Sequence, residues 1–76
     1  MKSKKEFKSA LVELGDRIYH RRIVKNLTTK EIASRVSLSP EAYRNIEKGV
    51  TDLSFTTLLS LANILTVSCS ELINNL

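Results

Sequence analysis

The sequence is poor in the residue types that stabilise small proteins through covalent or metal cross-links. Its 76 residues include one cysteine, Cys69, and one histidine, His20. A lone cysteine cannot form an internal disulfide, and the two residues together fall short of a zinc ligand set. We therefore expect neither residue to be functional and no cofactor to be bound. A chain of this length has room for one hydrophobic core, so residues 1–76 are expected to form one domain stabilised by helix packing and a partner subunit.

Long apolar runs are also missing. No stretch approaches the roughly 18 consecutive apolar residues of a membrane span, and no apolar segment of a signal peptide follows the first lysines. We therefore expect a cytoplasmic protein with no membrane partner. Nor does the sequence offer a nucleophile with its base, a carboxylate pair or a phosphate-binding loop. An enzyme is accordingly disfavoured, and no small-molecule substrate is evident.

The net charge of +4 is unevenly distributed along the chain. Residues 1–25 carry a net charge of +5, residues 26–50 carry +1, and residues 51–76 carry −2. A basic front and an acidic back indicate that one face of the protein meets a polyanion such as nucleic acid. A solubilising lysine tail would produce the same distribution, so charge alone does not separate the two interpretations.

Three capping boxes predict a succession of helices. In a capping box, a serine or threonine is followed three residues later by an acid, and the two side chains satisfy free amides of the first turn. The boxes are Ser3 with Glu6, Thr28 with Glu31, and Ser68 with Glu71. Together with the apolar spacing, they predict an all-α chain of five helices over residues 5–25, 29–36, 40–48 and 55–65 and a short stretch after Ser68. Gly15 is expected to loosen the first helix midway.

The third predicted helix has clear boundaries and a polar outer face. Ser39 is a natural N-cap, Pro40 suits the first helical position, and Gly49 suits the left-handed residue that ends a helix. The side chains that project together from its outer side are Glu41, Arg44, Asn45 and Lys48. With the short helix before it, this segment predicts a helix-turn-helix motif over about residues 28–49.

Two strings in this motif resemble the Cro and phage-repressor family of regulators. They are Leu-Thr-Thr-Lys-Glu-Ile-Ala over residues 27–33 and Leu-Ser-Pro-Glu-Ala-Tyr-Arg-Asn-Ile-Glu-Lys-Gly over residues 38–49. The likeness extends from Leu14 to about Leu72. It implies a lambda-repressor-like fold and a sequence-specific transcription regulator that reads double-stranded DNA through its third helix. It also implies a structural ion pair between Arg22 and Glu47.

The sequence departs from the family at three positions of the motif. Thr29 stands where glutamine commonly contacts a phosphate, and a threonine hydroxyl has a shorter reach. Ser37 stands where the turn usually has glycine, so this serine must accept a left-handed conformation or the turn must adjust. Pro40 replaces a residue that often reads a base.

The outer face of the third helix predicts contacts to base edges. Arg44 can donate two hydrogen bonds to guanine, and Asn45 can both donate and accept. Glu41 can accept from a cytosine amino group, although its carboxylate also stabilises the start of the helix. Lys48 is better placed for phosphate. The alternative is that these side chains form only a solvated face.

Helix starts in the motif predict further phosphate contacts, because free amides and the helix dipole favour anions there. The residues concerned are Thr28, Thr29 and Ser39. At the other end of the chain, Leu72, Ile73 and Leu76 are apolar residues that a monomer would find hard to cover. They predict a homodimer, which would read a near-palindromic site.

Several kinds of small regulator fit this pattern. A domain this small with no sensor attached resembles the controller proteins of restriction-modification systems and the compact repressors of phages and mobile elements. An antitoxin-like module that binds a partner protein as well as DNA is the alternative function. The short tail after the fifth helix argues against a dedicated toxin-binding arm.

Overall fold

The computed structural model describes the backbone of residues 4–76 and the side chains of residues 8–76. Within these residues the chain forms five helices and no strand: α1 (Lys4–Val24), α2 (Thr29–Arg35), α3 (Pro40–Lys48), α4 (Phe55–Leu65) and α5 (Cys69–Ile73). The all-α prediction is confirmed, and each boundary lies close to the one expected. The capping box of Ser3 and Glu6 falls outside the described side chains. Among the described residues, no helix combines the length and apolar character needed to cross a membrane.

Local side-chain bonds begin the helices where the sequence predicts. The hydroxyl of Thr28 accepts from the Glu31 amide at 3.1 Å, and the Thr28 amide donates to the Glu31 carboxylate at 2.9 Å. Ser68 and Glu71 repeat the arrangement at α5. Ser39 and Ser54 cap α3 and α4 through their hydroxyls. Each cap satisfies amides that a helix start leaves without an intrahelical acceptor.

The turn between α2 and α3 closes without glycine. Ser37 adopts the left-handed conformation with φ of 59°. Its amide donates to the Ser34 carbonyl at 3.2 Å, and the Leu38 amide donates to the Ala33 carbonyl at 2.9 Å. A non-glycine residue in this conformation costs about 1 kcal/mol or more, which the packing of the flanking helices must offset. The serine therefore performs the geometric task that glycine usually performs in related turns.

All five helices contribute to one hydrophobic core. Its largest fully buried side chains are Ile18 of α1, Ile32 of α2, Tyr43 of α3, Leu61 of α4 and Leu72 of α5. Ala33 of α2 is also fully buried. Each helix supplies one of these side chains, and α3 packs chiefly against α1 and α2.

Gly15 does not interrupt α1, so the expectation that it loosens this helix is wrong. It is buried where α1 meets the last turn of α3. A Cβ atom at Gly15 would lie 2.4 Å from the Glu47 carbonyl oxygen and 2.5 Å from that of Ile46. Gly49 makes the reciprocal approach, since a Cβ there would lie 2.4 Å from the Cα of Val12. Two glycines thus allow the backbones of α1 and α3 to touch.

The close approach makes a prediction for Gly15→Ala. In an open helix this change stabilises by up to about 1 kcal/mol, because alanine has the higher helix propensity. At Gly15 the methyl group must displace backbone carbonyls, so we expect a loss of about 1–3 kcal/mol in urea denaturation. Ser9→Ala, at an exposed position of the same helix, serves as the control and should be nearly neutral. A Gly15→Ala variant as stable as the parent would contradict the close packing.

Candidate nucleic-acid interface

The outer side of α3 carries polar groups that have no protein partner. Glu41, Arg44 and Lys48 are exposed and Asn45 is half-buried, whereas Tyr43 and Ile46 on the opposite side are buried. Within the described residues, none of the four outer side chains makes a hydrogen bond or ion pair to the chain. Their donors and acceptors are therefore available to an external ligand.

The start of α2 offers a second set of free donors. The capping box uses the amides of Thr28 and Glu31, which leaves the amides of Thr29 and Lys30 without an acceptor in the described chain. The hydrogen bond from the Thr28 amide lowers the pKa of Glu31 below its ordinary value. That carboxylate stays ionised and offsets part of the positive potential of the helix start. The two free amides and the threonine side chains remain the groups that can meet an anion here.

Ser39 sits at the start of α3 with one hydrogen-bonding function still unused. Its hydroxyl oxygen accepts from the Ala42 amide at 3.1 Å. The hydroxyl proton has no acceptor in the described chain, so it can donate to a ligand oxygen. Lys30 and Arg35 of α2 are further exposed cations, to which the motif pattern assigned no role. Their positive charge within the helix-turn-helix segment is the sequence feature that could have identified them as candidate phosphate contacts.

Arg22 and Glu47 form the ion pair that the family resemblance implies. The guanidinium Nε lies 2.7 Å from Glu47 Oε2, and Nη2 lies 3.3 Å from Oε1. The two side chains are 10% and 12% exposed. Tyr43, a fully buried residue of the core, also donates its hydroxyl proton to Glu47 Oε2. The Tyr19 ring covers the guanidinium at 5.4 Å from the ring centroid.

The same guanidinium also holds the beginning of the motif. Arg22 Nη1 donates to the Leu27 carbonyl at 2.9 Å, one residue before the N-cap of α2. The hydrogen bond with Glu47 raises the pKa of Arg22, and burial raises that of Tyr43, so both groups stay protonated at neutral pH. Arg22 consequently joins α1, the entry to α2 and the end of α3 in one network. The free polar groups of both motif helices are held in a fixed relation.

Residues 18–72 match the family model described as helix-turn-helix. The chain belongs to this family. It is a DNA-binding transcription regulator of the Cro/C1 type, and a domain of this kind binds DNA and does not catalyse a reaction. No curated protein matches the sequence.

Solved structures of other regulators share the fold. The restriction-modification controller protein C.AhdI from Aeromonas hydrophila is 28% identical, with a TM-score of 0.79 over 84% of this chain and 97% of its own. The clp gene regulator ClgR from Corynebacterium glutamicum is 25% identical, with a TM-score of 0.80 over 83% of this chain and 67% of its own. The complex of the SinR and SinI proteins gives 25% identity and a TM-score of 0.75 over 82% of this chain and 61% of the matched one.

The positive charge of residues 1–25 is not all available to DNA in this regulator. Arg22 is committed to Glu47, and Arg17 donates to the carbonyls of Leu72 and Asn74. The basic front inferred from charge counts is therefore partly an internal scaffold. The exposed cations of the motif itself, on α2 and α3, have no such partner in the described chain.

The structure also changes the prediction for the apolar end of the chain. Leu72 is 1% exposed and belongs to the core, so it cannot contribute to a dimer interface as predicted. A helix as short as α5 needs one buried anchor to stay folded, and Leu72 is that anchor. Ile73 is 43% exposed and Leu76 is half-buried. Two other exposed apolar side chains, Phe55 and Leu59, belong to α4, which packs against α5.

The network around Glu47 predicts a loss of stability in Glu47→Ala. The change leaves the Arg22 guanidinium with one fewer partner in a nearly buried site, which should cost up to about 3 kcal/mol. Glu41→Ala, which removes an exposed carboxylate from the same helix, is the matched control and should cost less than about 1 kcal/mol. Thermal and urea unfolding measure both variants. If Glu47→Ala unfolds like the parent but no longer binds DNA, the carboxylate belongs to the interface and not to the scaffold.

Proposed function

We propose that the regulator binds a near-palindromic operator as a homodimer, with α3 of each subunit in the major groove. The observation that carries this proposal is the outer face of α3, whose polar side chains are free while the helix itself is tied down by Arg22. A rigid helix with unused donors and acceptors is what reading base edges requires. As a DNA-binding domain formed by residues 1–76, the protein would act in the cytoplasm, as a repressor or controller.

We assign base reading to Arg44, Asn45 and Glu41. The exposed guanidinium of Arg44 can bond guanine O6 and N7, and the Asn45 amide can bond adenine N6 and N7. Glu41 can accept from the amino group of cytosine, and its position in the first turn also stabilises α3. Lys48, in the last turn, is assigned to a phosphate.

The remaining phosphate contacts are assigned to the two helix starts. Thr28 and Thr29 stand beside the free amides of α2, and Ser39 retains its hydroxyl proton. Backbone amides and hydroxyls at such positions orient a protein on the duplex without reading its sequence. Lys30 and Arg35 would add non-specific attraction, because both are exposed on the same motif.

The exposed side chains of Phe55, Leu59 and Ile73, here called the self-association surface, support the dimer. They are 70%, 46% and 43% exposed. Residues 51–76 hold no lysine or arginine, so pairing this region with a second copy does not bring cations together. The described residues measure 34 × 23 × 20 Å. In the proposed dimer, equivalent helices must lie about 34 Å apart, one turn of DNA. The match to C.AhdI over nearly all of its length favours a controller-type regulator.

A protein partner is the second candidate use of the same surface. One similar structure holds SinR together with another protein, SinI, and an exposed apolar surface can bind a different chain as well as a copy. Retention on DNA or heparin with salt-dependent release, compared with retention of a partner from the same lysate, separates the two functions. The DNA-binding role predicts release by salt.

Sedimentation of the free protein tests the dimer. At micromolar concentration the parent should contain two chains, and Leu59→Glu should be monomeric, because a buried carboxylate without a partner opposes association. Val24→Glu is the control, since Val24 is 79% exposed on α1 outside the self-association surface. It should remain dimeric, and all three proteins should melt at similar temperatures. A parent that stays monomeric both free and on DNA contradicts the proposal.

Variants of α3 separate base reading from phosphate binding. Arg44→Ala or Asn45→Ala should cost about 1–3 kcal/mol on the cognate site, relax the preference at one base pair and affect scrambled DNA less. Lys48→Ala should weaken binding to both DNAs alike and reduce the salt slope by about one unit. Titrations on cognate and scrambled DNA at several salt concentrations measure these effects. Equal losses on both DNAs for Arg44→Ala and Asn45→Ala would mean that sequence is read elsewhere or through DNA shape.

A further inference from the structure

The last helix, α5, depends on contacts from α1 for its position. It has five residues, far fewer than an isolated helix needs to persist in water. Its capping box fixes only its first turn. Leu72 anchors it in the core and the half-buried Cys69 packs against the core as well, but apolar contacts of this kind have little directional preference. Further contacts must determine where the exposed Ile73 points.

Arg17 supplies such contacts at the end of α5. Its Nη1 donates to the Leu72 carbonyl at 3.0 Å and to the Asn74 carbonyl at 2.7 Å. Its Nη2 lies 3.4 Å from Glu13 Oε1, one turn earlier on α1, which orients the guanidinium. Carbonyls at a helix C-terminus lack intrahelical donors and carry partial negative charge, so a guanidinium is well matched to them. The side chain is 26% exposed, and its hydrogen bond to the Leu72 carbonyl is partly buried.

The two carbonyls flank Ile73, a member of the self-association surface. The two hydrogen bonds of Arg17 therefore hold the backbone on both sides of this residue. The only other side-chain tie between α1 and α5 within the described residues joins Arg21 and Glu71 at 3.9 Å, with both side chains about half exposed. An exposed pair at that distance contributes little. Arg17 is therefore the main polar constraint on this part of the surface.

We propose that Arg17 is a positioning residue for self-association, which it controls by holding α5 through the Leu72 and Asn74 carbonyls. The inference rests on the proposed dimer. It assigns an arginine of the basic front to subunit pairing and not to DNA. Loss of the guanidinium should leave the core in place, free Ile73 to move, and weaken the dimer without changing the surface's own side chains.

Sedimentation equilibrium on the full chain without DNA, at a temperature where every variant is folded, tests this role. Arg17→Met keeps the apolar stem of the side chain and removes its donors. It should raise the dimer dissociation constant about tenfold, the size expected for losing a charge-assisted hydrogen bond. Arg17→Lys keeps the charge but cannot reproduce the planar array of donors, so it should lie between Arg17→Met and the parent. It also decides the outcome if Arg17→Met does not fold.

Two controls separate positioning from a general loss of stability or charge. Lys8→Met removes an exposed cation of α1 that has no partner in the described chain. Ile32→Val removes a buried methylene group from the core at α2 and should lower the melting temperature without changing α5. Both should keep the dissociation constant within about twofold of the parent, a range too small to reflect a lost hydrogen bond.

Three results would overturn the inference. They are an Arg17→Met or Arg17→Lys dimer as tight as the parent's, an equal weakening in Ile32→Val, and an unchanged dimer that binds DNA more weakly with a reduced salt slope. The last would show that Arg17 contacts phosphate. A parent that never dimerises would instead overturn the proposed function on which the inference rests.

Discussion

The structure depends on one nearly buried guanidinium. Arg22 bonds the Glu47 carboxylate at the end of α3 and the Leu27 carbonyl at the entry to α2, and the Tyr43 hydroxyl completes the coordination of Glu47. An arginine can hold several acceptors at once because its donors lie in a rigid plane. Both helices of the motif are thereby hydrogen-bonded, directly or at their entry, to the same side chain of α1. Without this tie, the free side chains of α3 would lie on a helix able to shift relative to the start of α2.

Four of the arginines and lysines fall into two groups with different tasks. Arg17 and Arg22 of α1 are used inside the molecule, where they hold α5 and α3. Arg44 and Lys48 of α3 are left without partners in the described chain and face outward. A charge count along the sequence treats these cations alike. Only their surroundings separate scaffold charges from charges that can meet DNA, and this division is what makes a small basic protein a specific regulator in our proposal.

Several residues have roles in helix packing that their type alone does not reveal. Gly15 lets α1 touch the last turn of α3, so any side chain there would move the helix that is proposed to read DNA. Leu72 was expected at a subunit interface, but its burial makes it the anchor of α5 and leaves Ile73 as the exposed neighbour. Ser37 accepts a left-handed conformation in the turn of the motif. In each case the role of the residue depends on the helices that pack around it.

The amino-acid sequence alone determined the five helices, the caps of α2, α3 and α5, and the polar face of α3. The helix boundaries and caps depend on residues within about one turn of each other, such as Thr28 with Glu31 or Ser39 before Pro40, so local chemistry determines them. The pairing of Arg22 with Glu47 came from the family resemblance. The tertiary structure alone decided that Gly15 lies against α3, that Leu72 is buried and that Arg17 donates hydrogen bonds to the end of α5. Those outcomes join residues separated by tens of positions, and whether such residues meet depends on how whole helices pack, which spacing along the chain does not record.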